Sequence, residues 1–506
     1  MTPALILGCV AIYTLMLFTV TWWSARGATN ESYFVGDRSS RWYLVAYGMI
    51  GASLSGVTFM SVPGSVGNAS FYYLQVVLGY FVGYFVIAYV LLPLYYRMNL
   101  TSIYSYLEKR FGAWAYRSGA AFFLLSRVLG AACRMYIVVL VLQKFVFEAW
   151  NIPFELTSGI FILLILAYTF KGGVKTIIWT DTLQTTFMLL SLVLSVVLIA
   201  RALHVPNLVG HLFTSEHSTI FNWNWKSGVF FPKAFIGGMF ISITMTGMDQ
   251  EMMQKNISCK TVGEAQKNVV TFSFTMVFVN LLFLLLGVLI WDYAATQPEL
   301  LASLKAHTMP TDELFPTLAL KAFGTVSALF FVIGLISAAY PSADGALTAL
   351  TASFCIDFLG FKNPANVRDE KSKERTRKIV HVAFSVLLFV ALLILEKVND
   401  RAIIDMILFL AAITYGPLLG LFAFGILTKR TANGWPVLLV CLLPPTICFL
   451  MNYVAAHDVS LPHKEGAVVF DVFNGYLFGN ELLLINGGLV FLGMLLISKK
   501  KEIPAL

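Results

Sequence analysis

Long apolar runs separated by short polar stretches organise this chain. Runs of about 18 or more such residues, the length at which a helix crosses a bilayer, fall near 3–23, 43–66, 71–95, 118–147, 154–170, 176–203, 233–255, 268–293, 323–357, 379–396, 402–427, 434–454 and 480–498, which predicts thirteen spans. Two of them are interrupted. The second reads AYGMIGASLSGVTFMSVPGSVG over residues 46–67. There Gly48, Gly51, Gly56, Pro63, Gly64 and Gly67 weaken the helix, while Ser53, Ser55, Thr58 and Ser61 put hydroxyls where lipid favours methyl groups. Non-helical backbone at membrane depth survives only where protein buries it or where it lines a cavity. The pattern therefore predicts a break around Gly51 to Gly56 whose freed carbonyls are ligands, as in transporters with a midplane site. The competing reading is a Gly/Ser face for close helix packing. The seventh span carries ISITMTGMDQEMMQ, where Ser242, Thr244, Thr246, Gly247, Asp249 and Gln250 interrupt the apolar run.

The two interruptions lie five spans apart. An odd offset reverses direction across the membrane, so residues 43–203 and 233–427 are expected to form two inverted-topology repeats, with 1–25 and 434–506 as peripheral helices. This rests on topology and the polar interruptions, since the repeats show no convincing residue-by-residue identity.

Composition agrees with a polytopic membrane protein: the 506 residues are 58% hydrophobic and only 12% charged, about half the charged share usual in soluble domains. The first apolar stretch has no basic region before it and is expected to be a retained helix, not a signal peptide. The net charge of +8 does not point to nucleic acid, because the basic residues sit in short loops between spans. Alternating sides puts Arg26, Arg38, Arg41, Arg97, Lys109, Arg110, Arg117, Lys171, Lys175, Lys255, Lys260, Lys267, the Lys362 to Lys378 run, Lys429, Arg430 and Lys499 to Lys501 on one face. By the positive-inside rule that face is cytoplasmic, with the N-terminus outside and the C-terminus inside a plasma or inner membrane. The stretch Lys362 to Arg377, interrupted by Pro364, reads as a cytoplasmic linker. Six cysteines without CxxC spacing indicate neither a disulfide framework nor a zinc site.

An ionisable group at bilayer depth costs at least about 2.5 kcal/mol on insertion scales and usually faces a cavity. The candidates are Arg127, Arg134, Asp181, Asp249, Glu251 and Asp344. Asp181 shares a helical side with Thr180, Gln184 and Thr185, which suits a cation. Its alternative is a carboxylate at a helix start. In the ninth span Pro341 removes a donor and frees the carbonyl of Ser337, and Ser342 adds a hydroxyl. With carbonyls from the break near Gly51 these oxygens would suit a hard cation such as sodium. Arg127 and Arg134, seven apart, share one helical face. They read equally well as partners for a substrate carboxylate or as counter-ions to Asp181 or Asp344.

Several motifs together carry a family resemblance: ESYFVGDRSSRW before the broken span, LSGVTFMSVPG within it, TSIYSYLEKRFG after the third span, GGVKTIIWTDTLQ, DQEMMQKN after the second break, and YGPLLGLFAFGILTKR. The chain resembles the sodium/solute symporter family over nearly its whole length, nearest in motif to the sialic-acid-transporter branch. The resemblance implies an all-α integral membrane protein with a leucine-transporter-like 5+5 inverted repeat and about thirteen transmembrane helices. It implies a principal sodium site of carbonyls at Gly51 and Leu54 with Ala338, Pro341 and Ser342. The family usually has paired hydroxyls where this chain has Pro341-Ser342, so one side-chain ligand is missing. A second sodium site of some relatives uses the aspartate matching Asp181 and two serines. Those serines are Asp344 and Gly345 here, so Asp344 either completes a sodium site with Asp181 or shares a proton with it. The implied substrate pocket takes Ser53, Ser55, Thr58, Tyr73, Arg134, Thr246 and Thr414. Sialic-acid members hold the carboxylate with an arginine that aligns to Gly130 here, and neither Arg127 nor Arg134 matches it directly.

These readings converge on sodium-coupled symport of a small organic solute into the cytoplasm by alternating access. A sugar acid or other carboxylate, or a neutral sugar, is the expected solute, and sodium and membrane lipid are the other partners. The alternatives are a proton-coupled or sodium-independent carrier, or a channel-like or sensor protein of the same fold. No phosphate-binding GxxxxGK[ST] loop and no nucleophile-base arrangement points to an enzyme.

Overall fold

The computed structural model describes residues 3–24, 33–34, 38–170, 173–306, 308–363, 369–398, 403–456, 459–463, 466–470 and 472–500. Thirteen helical units match the thirteen apolar runs. Span 1 is Pro3–Ser24; span 2 is Trp42–Ser53 followed by Gly56–Ala69, bent by 58°; span 3 starts as Tyr72–Val86 and runs through a π turn to Arg97. Span 4 is Ala113–Leu142, span 5 Phe154–Thr169 and span 6 Val174–Ala202. Span 7 is Phe231–Ser242, a π turn Ile243–Gly247, and then Gln250–Ile257. Spans 8, 9 and 10 are Val262–Ala295, Gly324–Ser353 and Glu370–Val398. Span 11 is Ile403–Thr414 and Gly416–Leu427, bent by 44°, and spans 12 and 13 are Pro436–Ala456 and Leu482–Ile497. The strands among the described residues form two small pairings, Arg430–Thr431 with Lys499–Lys500 and Val459–His463 with Gly466–Phe470.

Contacts between spans repeat after a shift of five. Span 2 packs on span 8 as span 7 packs on span 3; span 6 packs on span 9 as span 11 packs on span 4; and span 4 lies against span 10 as span 9 lies against span 5. Such exchange of partners is what a two-fold axis in the membrane plane produces. It separates one body of spans 2, 3, 7 and 8 from a second of spans 4, 5, 9 and 10.

The breaks fall where polar residues outnumber apolar ones. Leu54 and Ser55 are both extended, at φ/ψ −90°/95° and −89°/178°, which fixes the break in span 2 to two residues. Beyond it Pro63 stays within an unbroken helix. Gly64 accepts a bond from Trp291 Nε1 (2.8 Å), and Gly67 lies against the Trp291 ring. This part of the stretch follows the packing reading, because a large side chain from span 8 needs the space. In span 7 the break is at Met248 and Asp249, with Asp249 extended at φ/ψ −107°/125°.

Two expectations need correction. The charged run Lys362 to Arg377 is not all linker. Its residues 364–368, including Pro364, lie outside the described residues, but span 10 already starts at Glu370, supported by Lys373–Glu370 (3.2 Å) and Lys378–Glu374 (2.7 Å) ion pairs at helical spacing. Span 11, read as continuous, is broken at Tyr415, where Pro417 follows two residues later.

Candidate functional site

The two breaks differ in how their freed carbonyls are satisfied. At span 7, Tyr95 Oη donates to the Gly247 carbonyl (2.7 Å) and Tyr104 Oη to the Met248 carbonyl (3.1 Å). The TSIYSYLEKRFG motif supplies Tyr104, and its Thr101 and Ile103 backbone groups bond the Gln250 side chain (2.9 and 3.0 Å). At span 2 the Gly51 N–H donates to Thr185 Oγ1 (3.1 Å), but among the described residues no hydrogen bond reaches the carbonyls of Gly51 or Leu54. Carbonyls left without donors in a dry interior are strong ligands for a hard cation. Facing this half of span 2, span 9 holds the fully buried Ser342, whose Oγ likewise has no hydrogen-bond partner among the described residues. Ala338, one turn before it, and Pro341, immediately before it, belong to the same set and are also buried. The donor set, neutral and all oxygen, fits sodium.

Beside the break lies a cavity of about 110 Å³. Of the seven expected substrate residues, Ser53, Ser55, Thr58, Tyr73, Arg134 and Thr246 line it, joined by Tyr80, Tyr84, Ser242 and Arg127, while Ile241, Met245, Met276, Ile407 and Leu408 give it apolar walls. Residues from both bodies contribute, so the cavity sits at their junction. Thr414 does not reach it. Its hydroxyl donates back to the Leu410 carbonyl (2.6 Å), and it borders a neighbouring crevice with Gly130, Arg127 and Arg134. A Cβ at Gly130 would meet nothing within 4 Å, so that crevice has room for a side chain at this position.

The two arginines take different roles. Arg127, 3% exposed, pairs with Asp249 (3.6 Å) and with Glu251. These partners belong to the broken span 7, not the Asp181 or Asp344 expected from the sequence. Arg134 has no hydrogen-bond or ion-pair partner among the described residues and points its charge into the cavity. Asp249 also caps the second half of span 7, accepting from the Glu251 and Met252 N–H groups (2.9 and 3.2 Å), and Tyr415 Oη donates to it (2.7 Å). The break in span 11 sets that tyrosine.

Asp181 is fully buried in the third turn of span 6, so it is no helix-start carboxylate. One of its oxygens receives Lys255 Nζ at 2.7 Å, and the other has no hydrogen-bond partner among the described residues. Asp344, also fully buried, accepts from Tyr168 Oη (2.9 Å) and leaves its Oδ1 unbonded. Lys255 was read in the sequence only as a loop charge setting orientation. It lies instead inside the protein at 3% exposure, within the last turn of span 7.

Known proteins resemble this chain in sequence and fold. The sodium:solute symporter family model matches residues 33–434. The sodium/sialic acid symporter NanT of Aliivibrio fischeri is 26% identical over 423 residues, 81% of this chain and 80% of that one. The sodium/sialic acid symporter SiaT of Proteus mirabilis is 24% identical over 431 residues, covering 83% and 84%. A solved Na⁺-coupled sialic acid symporter in a substrate-bound outward-open state superposes with a TM-score of 0.79 at 19% identity, over 98% of this chain and 99% of that one. With its inverted five-span repeats, donor-free carbonyls at a broken helix and a match over most of its length, the chain belongs to the sodium:solute symporter family and is a multi-pass membrane transporter, not an enzyme.

Proposed function

We propose that this symporter carries a small organic acid of the sugar-acid class, held by Arg134, with sodium into the cytoplasm. The carrying observation is a guanidinium that lines a hydroxyl-rich cavity without a protein carboxylate, while its helical neighbour Arg127 is ion-paired with Asp249 and Glu251. A planar five-donor cation in that position recognises a carboxylate in bidentate fashion. Ser53, Ser55, Thr58, Tyr73 and Thr246 offer the hydroxyls that a polyhydroxy chain or ring would bond. The sialic acid symporters among the relatives support an acidic sugar.

Sodium takes the carbonyls of Gly51, Leu54, Ala338 and Pro341 with Ser342 Oγ. Binding there joins span 2 to span 9, one from each body, so the ion favours the arrangement in which both sets of ligands meet. Solute bound beside it shares that preference, and each ligand raises the other's affinity by the same factor. The two bodies, each drawing spans from both repeats 43–203 and 233–427, then rock against each other, with the N-terminus outside and the C-terminus in the cytoplasm, as the loop charges indicate.

The test is uptake of N-acetylneuraminate by proteoliposomes. An inward sodium gradient is expected to drive accumulation, with choline giving none, and Arg134→Ala is expected to raise the half-saturating solute concentration roughly 10- to 100-fold, the worth of a charged hydrogen bond. Equal uptake in sodium and choline overturns sodium coupling. Undiminished uptake by Arg134→Ala overturns the anchor.

A further inference from the structure

Four buried carboxylates, Asp181, Asp249, Glu251 and Asp344, share the protein centre with two engaged cations, Arg127 and Lys255. The chain of pairs runs from span 4 through the second half of span 7 to span 6: Arg127 to Glu251, Glu251 to Lys255 (3.4 Å), Lys255 to Asp181 (2.7 Å). Every member is at most 3% exposed. Space for this chain is made at Gly345, since a Cβ there would overlap the Glu251 carboxylate. Asp344, next to that glycine, keeps one oxygen free of hydrogen bonds, as do Asp181 and, one turn along span 6, both polar atoms of Gln184.

We propose that Lys255 is a tethered coupling cation: its ammonium occupies the Asp181 carboxylate that would otherwise recruit a second sodium ion, and so limits the transport cycle to one sodium per solute. An ammonium carries the charge of a sodium ion and supplies three donors where sodium accepts oxygen ligands. Held on the last turn of span 7, it is present at effectively unit occupancy and cannot be released to the cytoplasm. It neutralises Asp181 without being transported. Glu251 steers it from one turn away, and the absent side chain at position 345 admits Glu251. A positioning ion pair with a purely structural role would leave sodium stoichiometry untouched, which separates the two.

The inference rests on the sodium-coupled reading above, and its experiment fails separately. Sodium activation and the ratio of labelled sodium to labelled solute are measured in proteoliposomes for the wild type, Lys255→Gln, Lys255→Arg and the charge-neutral pair Asp181→Asn/Lys255→Gln. The wild type is expected to show a Hill coefficient near one and one sodium per solute. Lys255→Gln exposes the Asp181 and Asp344 carboxylates to a free ion, so both values rise toward two and half-saturating sodium increases. Lys255→Arg keeps the wild-type values, and the double variant returns to one. Should Lys255→Gln fail to assemble, Lys255→Met, which removes the charge while keeping the side-chain length, carries the same expected rise toward two. A wild-type ratio of two, an unchanged Hill coefficient in Lys255→Gln, or loss of sodium dependence in the double variant overturns the proposal. A wild type indifferent to sodium overturns the coupling reading instead.

Discussion

Ser342 Oγ is buried in a helix with neither donor nor acceptor among the described residues. A hydroxyl in that condition costs about 1–3 kcal/mol of desolvation unless something bonds it. Sodium is the proposed partner, so Ser342→Ala is expected to be at least as heat-stable as the wild type without sodium. It should gain less from sodium, with a half-saturating concentration raised roughly 10-fold. Thermal midpoints in detergent with sodium or choline check both halves, and a variant less stable in choline would show that the hydroxyl bonds within the protein. Single residues were legible in proportion to how local their chemistry is. The hydroxyls and the arginine of the cavity could be named from the family resemblance, with helical spacing adding only that Arg127 and Arg134 share a face. The partners of Arg127, Asp181 and Lys255 could not, because Lys255 reaches Asp181 across 74 residues and Tyr415 reaches Asp249 across 166. Spacing along one helix says that a charge faces inward but not which other helix meets it.

At the level of elements, the two broken spans are built from similar polar residues yet are finished differently. The carbonyls freed at Gly247 and Met248 are occupied by tyrosine hydroxyls, whereas those at Gly51 and Leu54 are left open. One break is thus a structural joint and the other is the proposed ligand set. Tyr104→Phe leaves the Met248 carbonyl unsatisfied in a dry interior and is expected to cost about 1–3 kcal/mol of stability. The readout is a lower melting midpoint in detergent with half-saturating sodium unchanged. A shifted sodium dependence at equal stability would place an ion at this break too. Glycine, serine, threonine and proline content revealed the break in span 2, and serine, threonine, Gly247, Asp249 and Gln250 revealed that in span 7. The division of labour between them did not show, since the tyrosines that cap span 7 come from span 3 and the segment after it. The bend at Tyr415 was missed for a related reason: an apolar run of helical length hides one polar joint, and only the Asp249 carboxylate it serves explains why the joint is there.

For the whole molecule, the exchange of packing partners after a five-span shift leaves a cavity at the junction of two bodies. Spans 2, 3, 7 and 8 bring the hydroxyls and Tyr73, Tyr80 and Tyr84; spans 4 and 11 bring Arg134 and the apolar wall at Ile407 and Leu408. A site divided in this way is complete only when the bodies meet across it. The solute therefore has to be enclosed before it can change sides, and one solute occupies the path at a time. That geometry distinguishes a carrier from a channel in a way that composition and periodicity alone could not. Proteoliposomes loaded with unlabelled solute and diluted into labelled solute, with sodium equal on both sides, should accumulate label transiently above equilibrium. The bound form returns faster than the empty one when binding lowers the barrier to rocking. Initial rates should saturate at solute concentrations matching those that stabilise the purified protein to heat. Label that merely equilibrates, at a rate proportional to concentration over the whole range, would mean that the two bodies form a continuous pore.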